Sequence, residues 1–197
     1  DYSKWYNAYD KFWRKRSNTM SNILVQNIKH TNGTTAATIN TSGNLSITGH
    51  VLQVVSETIT TQLNGSVSSA GDFIDTGVTA TITPKFSSSK ILVSFTIGAT
   101  GANATADNVF RLVRGSTNIA QGSSGTYTGT VAIRTLNSEL AGTPTMTHLD
   151  SPSTTSATTY KVQGTNTNSS STLAINRRQP DTAFGTVSTM TLMEIGQ

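Results

Sequence analysis

Between Ile82 and Ile97 the sequence dictates a corner joining two strands. Ile91, Val93, Phe95 and Ile97 recur at every second position, with Ser94 and Thr96 among the positions between them. Successive side chains of a strand point to opposite sides, so the first four share an apolar face and the serine and threonine share a wet one. Pro84 has no N–H to give to a ladder and ends the strand before it. Three consecutive serines, flanked by Lys85 and Lys90, make the connecting turn a solvated one. One apolar face and one wet face are what an antiparallel sandwich requires.

The rest of the chain can complete such a sandwich. Only 12% of its 197 residues are charged and 35% are hydrophobic. Thr, Ser, Asn and Gly replace the missing charges, which favours strands and turns over helices. Apolar residues alternate rather than vanish, so the composition is not that of a disordered chain. There is no cysteine, hence no disulfide and no thiolate chemistry. No apolar run is long enough to cross a bilayer as a helix. The formal charge of +4 is concentrated early, in Lys11, Arg14, Lys15 and Arg16.

Three segments follow from the pattern. Over residues 1–19, Tyr2, Trp5, Tyr6, Tyr9, Phe12 and Trp13 recur at i, i+3, i+4, i+7, i+10 and i+11, one face of an amphipathic helix. Arg14 and its basic neighbours suit the C-terminal end of that helix dipole. So short a helix needs a surface to pack on. A partner protein or sister chain, the chain's own β domain, and a membrane surface are three possible seats, in that order of preference. Residues 20–50 read as a neck of short strands, with turns at Asn32-Gly33 and Ser42-Gly43. Its few apolar residues cannot offset the ordering entropy of one copy, which predicts several chains wound together. Residues 51–197 carry about eight strand-like runs, which predicts a jelly-roll-like sandwich. The last of them, Met190–Ile195, is apolar on both faces and should lie centrally, covered on both sides.

Several stretches resemble a module of tailed-phage virion proteins, especially those of marine phages. They are Leu52-Gln53-Val54-Val55, Ile82-Thr83-Pro84, Ser88 to Val93, Leu112 to Thr117, Leu149-Asp150-Ser151-Pro152, Tyr160 to Gln163 and Ser188 to Ile195. The resemblance spans most of the chain except residues 1–19. It implies a homotrimeric head shaped like C1q or tumour necrosis factor, on a fibre or spike, with no catalytic residues. The expected function is therefore structural: a trimeric tail fibre or spike on the particle surface. Its residues 1–19 would anchor it to a tail or head component, and its head would meet a host glycan or outer-membrane protein. A capsid-decorating protein is the alternative, and a C1q-like secreted adhesion module comes third.

Chemistry is otherwise sparse. His30, His50 and His148 sit in different segments, and Asp72 and Asp75 flank a turn rather than a calcium loop, so no metal or cofactor is expected. His148, Asp150 and Ser151 form only a superficial triad, better read as a capped turn, and no enzyme is expected. Arg177-Arg178 is too short a basic run, without interleaved aromatics, for nucleic acid. Glu194, among Leu192, Met193 and Ile195, is a buried ion-pair candidate. Arg111, Arg114, Arg134, Arg177 and Arg178 are its possible partners, within the chain or across a subunit boundary.

Overall fold

The structure is a computed structural model describing residues 24–69, 71–102, 105–137, 139–168 and 172–197. The expected helix over residues 1–19, with its anchor residues Tyr2 to Arg14, lies outside the described residues. Those residues hold fifteen strands and no helix.

The neck region holds β1 (Asn27–Lys29), β2 (Thr35–Ile39) and β3 (Leu45–Ser46), paired in that order as a small antiparallel sheet. Gly33 and Gly43 take positive φ in its two turns, at 89° and 77°, a region open to glycine at no steric cost. Asn40 braces the second turn, its Oδ1 accepting from the backbone N–H groups of Ser42 and Asn44. Little of this sheet is dry: Ala37 and Ser46 are buried, but Leu24 is 94% exposed, and Val25, Ile28 and Leu45 are exposed too.

Eight longer strands build the sandwich. They are β4 (Val51–Ile59), β6 (Ile74–Ile82), β7 (Lys90–Thr96), β9 (Ala106–Arg114), β11 (Val131–Thr135), β12 (Thr145–Asp150), β13 (Thr158–Asn166) and β15 (Ser188–Ile195). One sheet runs β12-β7-β15-β4. The other runs β9-β13-β6, and the free edge of β9 is shared by β11 and the short β10 (Thr117–Ile119). All pairs are antiparallel. Numbered along the chain, these eight pair first with eighth, second with seventh, third with sixth and fourth with fifth. That is the ladder of one long hairpin. Two further pairs, β15 with β7 and β13 with β9, form because the hairpin is rolled on itself.

Alternation places the core. Val78 and Ile82 of β6, Ile91, Val93 and Phe95 of β7, Phe110 and Leu112 of β9, Tyr160 and Val162 of β13, and Met190 and Leu192 of β15 are all buried in one cluster. The corner expected at Pro84 is present: β6 stops at Ile82 and β7 begins at Lys90. A third small sheet, β5 (Leu63–Ser66), β14 (Thr172–Ile175) and β8 (Thr100–Gly101) in the order β5-β14-β8, adds Leu173 and Ile175 to the same cluster.

The rolled pairing sorts the connections by end. The turns β6–β7, β9–β10 and β12–β13 lie with the neck, which is tied there by Gly49 N–H to Gly196 O and Asn40 Nδ2 to Lys85 O. Four longer connections, residues 60–73, 97–105, 136–144 and 167–187, leave from the opposite end, while residues 120–130 join β10 to β11 along the edge of β9.

Candidate interaction surface

The two sheets wear different outer faces. On β12-β7-β15-β4, the register sets Leu149 against Leu92, Leu92 against Met193, and Met193 against Val54. This apolar row crosses all four strands, and Ile195 and Val51 extend it toward the neck. Val51, Val54 and Leu149 are about half exposed, at 51%, 55% and 46%. The next two rows are entirely hydroxyl: Thr147, Ser94, Thr191 and Ser56, then Thr145, Thr96, Thr189 and Thr58. Several bond to one another, as Ser56 Oγ does with Thr191 Oγ1 at 2.9 Å. Among the described strand residues of this face the one charge is Lys90.

The outer face of β9-β13-β6 is charged. Arg111 donates through Nε and a terminal nitrogen to Gln163 Oε1, at 2.9 and 2.7 Å. Gln163 Nε2 donates to Asp75, which also pairs with Lys161 at 2.9 Å. Burial pushes the Asp75 carboxyl up, but the hydrogen bonds from Gln163 and Lys161 outweigh it and leave it below its usual value. Arg111 lies over the Phe73 ring, 4.1 Å from its centroid. Arg134 and Asp107 pair at the same face.

The expectation for β15 divides. The strand is central in its sheet, between β7 and β4, and its Met190, Leu192 and Glu194 face the core. Its other face, with Thr189, Thr191, Met193 and Ile195, is covered by no other described element and stays half-buried.

Glu194 is fully buried. Its Oε1 accepts from the backbone N–H groups of Lys85 and Phe86, at 2.8 and 3.2 Å, and its Oε2 accepts from Gln53 Nε2 at 2.7 Å. Among the described residues none of the five arginines reaches it. Arg111, Arg114, Arg134 and Arg178 are engaged by Gln163, Asp150, Asp107 and Asp181, and Arg177 bonds to the carbonyl of Arg178. The carboxylate is thus met by donors on the Pro84 corner, which the sequence could not place beside it.

Sequence reasoning missed a second buried carboxylate. Asp150 accepts from Arg114 NH1 at 2.8 and 2.9 Å and from the buried Tyr160 hydroxyl at 2.7 Å. Those two partners take up the acid of the superficial triad; Ser151 contributes only its carbonyl, to Arg114. The available signal was Tyr160 itself, which alternates onto a core face where its hydroxyl needs an acceptor. Among the described residues no three metal-ligating side chains cluster.

At the loop-rich end, Arg178 joins two connections. Its Nε donates to Asp181 Oδ1 at 2.8 Å, its second terminal nitrogen to Asp181 Oδ2, and its first to Glu139 Oε2 at 3.0 Å. The guanidinium also lies over the Phe184 ring, 4.8 Å from its centroid.

No known protein family matches this chain. No curated protein matches it either. Among solved structures, dimeric latent PorU from Porphyromonas gingivalis is similar over 76% of this chain and 13% of that one, at 8% identity and a TM-score of 0.32. A likeness so distant carries no argument about fold or function.

Proposed function

We propose that this chain is a structural protein of a tailed-phage particle, a homotrimeric fibre or spike with a jelly-roll head, whose work is attachment. The rolled-hairpin pairing of eight strands is the pairing of a jelly roll and supports that part of the reading. The observation that carries the assembly is the outer face of β12-β7-β15-β4. A four-strand apolar row bordered by hydroxyls, with Lys90 its one charge, has the composition of an interface core, where charge is depleted. The opposite sheet, with its Arg111–Gln163–Asp75–Lys161 network, has the composition of a surface meant for water. The row runs toward the neck, where Leu24, Ile28 and Leu45 are also uncovered. Sister copies of this chain are the simplest occupant of both, because one contact would then continue from neck to head. With the neck end committed to the fibre, the loop-rich end faces the host, where many weak contacts add through avidity.

Native mass measurement of the purified chain should return three copies, and labelling of intact particles should place it on the tail. Deleting residues 1–19 should leave the trimer intact and abolish its incorporation. A stable, folded single chain would overturn the assembly. Normal incorporation of the truncated chain would overturn the anchor. Labelling confined to the shell would favour a capsid-decorating role over a fibre.

A further inference from the structure

We infer that Phe184 is the floor of a binding site for a neutral pyranose sugar. The inference rests on reading the loop-rich end as the outward one, and it names the ligand chemistry of that end.

Phe184 is an unusual surface aromatic. It is 56% exposed, at the end of the sandwich farthest from the neck. One side of its ring is taken by the Arg178 guanidinium, which two carboxylates hold there. Asp181 grips it through two nitrogens and Glu139 through the third. Asp181 is in turn fixed by the backbone N–H of Ala183, 2.9 Å from its Oδ1. Gln62 Nε2 donates to the Phe184 backbone carbonyl at 3.2 Å. Residues from three separate connections therefore brace Phe184, through its backbone and through one face of its ring, while more than half of the residue stays exposed. A rigid aromatic face offers contact area at low conformational cost, which is what a weak-binding surface needs.

The surrounding chemistry selects the occupant. A cation on the open face would meet the repulsion of the guanidinium already seated behind the ring. An anion would meet Asp181 and Glu139, whose side chains are 41% and 63% exposed. A neutral ligand meets neither cost. The face must suit weakly polarised C–H bonds, and the rim must suit hydroxyl donors, since each carboxylate keeps lone pairs beyond those given to Arg178. A pyranose ring supplies both, with axial C–H groups on one face and hydroxyls around the edge.

The test is saturation-transfer NMR on the full chain with a panel of methyl pyranosides: glucoside, galactoside, mannoside and N-acetylglucosaminide. At least one should receive saturation at its ring C–H protons. Phe184→Ala should weaken that sugar about tenfold, the worth of one aromatic contact. Phe184→Trp should keep or strengthen it, and Val187→Ala, at the same end, should leave it unchanged. Native mass and circular dichroism of each variant, matching the parent, exclude loss of fold as the cause. No transfer to any of the four sugars, or binding indifferent to Phe184→Ala, overturns the inference. The two readings fail separately. A trimer that binds no pyranoside removes the sugar site and leaves the assembly. A single chain that binds through Phe184 removes the assembly and leaves the site.

Discussion

Tyr160 shows how one polar tip constrains a core. The ring is wholly buried, and its hydroxyl donates to Asp150. Burial first, and then the hydrogen bond to a carboxylate, push its ionisation well above the usual tyrosine range. For a group raised in this way the stability is fully present below the ordinary value of 10.0 and is lost as pH climbs through the folded one. In an alkaline absorbance titration, Tyr160 should therefore stay un-ionised past that value and ionise together with unfolding. Tyr160→Phe should remove that step and cost about 2 kcal/mol, the worth of a hydrogen bond to a charged acceptor. If every tyrosine titrates in the ordinary range, this account of the core is wrong. Asp181 has the opposite sign. The hydrogen bond from Arg178, helped by that from the Ala183 N–H, holds it down to about 2. Its contribution is present above the ordinary 3.8 and fades as pH falls through the lower value. Carboxyl carbon NMR should give a midpoint near that lower value, moving up toward the ordinary one in Arg178→Gln but stopping short of it, because the Ala183 N–H still donates.

At the scale of strands and turns, much could be read in advance. The alternation of Ile91, Val93, Phe95 and Ile97 placed β7, and all four side chains are buried as the period requires. Pro84 ended β6, and the Asn-Gly and Ser-Gly turns of the neck follow from backbone freedom at glycine. These are local signals, carried by period and by φ. What could not be read is whatever depends on rolling the hairpin. Nothing near Glu194 in sequence points to the N–H groups of Lys85 and Phe86, more than a hundred residues away. An arginine was the reasonable expectation for a buried acid, and backbone donors serve instead because the corner turns its amides inward. This bond ties β15 to the β6–β7 turn. Glu194→Ala should cost about 3 kcal/mol in urea unfolding, since buried donors are left unpaired. Glu194→Gln should cost less but not nothing, because one amide N–H₂ would then face that of Gln53, already given to Thr83 O. A neutral result for Glu194→Ala would show that water reaches the corner.

At the scale of the whole molecule, the two outer faces make the prediction. Met193 sits at the centre of the apolar row, between Leu92 and Val54, with its side chain away from the core. Met193→Lys should therefore reduce the native mass to that of one chain, keeping the circular dichroism of the sandwich and losing only the part due to the neck strands. Lys161→Met, on the charged face, should change neither. Loss of fold in Met193→Lys would mean that the row supports the sandwich itself. The sorting of connections by end has a further consequence. Each of these four long connections springs from strands already fastened into a ladder, on both sides for residues 97–105 and 167–187 and on one side for the other two, at the pole where the neck is not. Loop lengthening costs little entropy. That pole can therefore drift in sequence and length, trading one target for another, while the β-ladders beneath it keep their register.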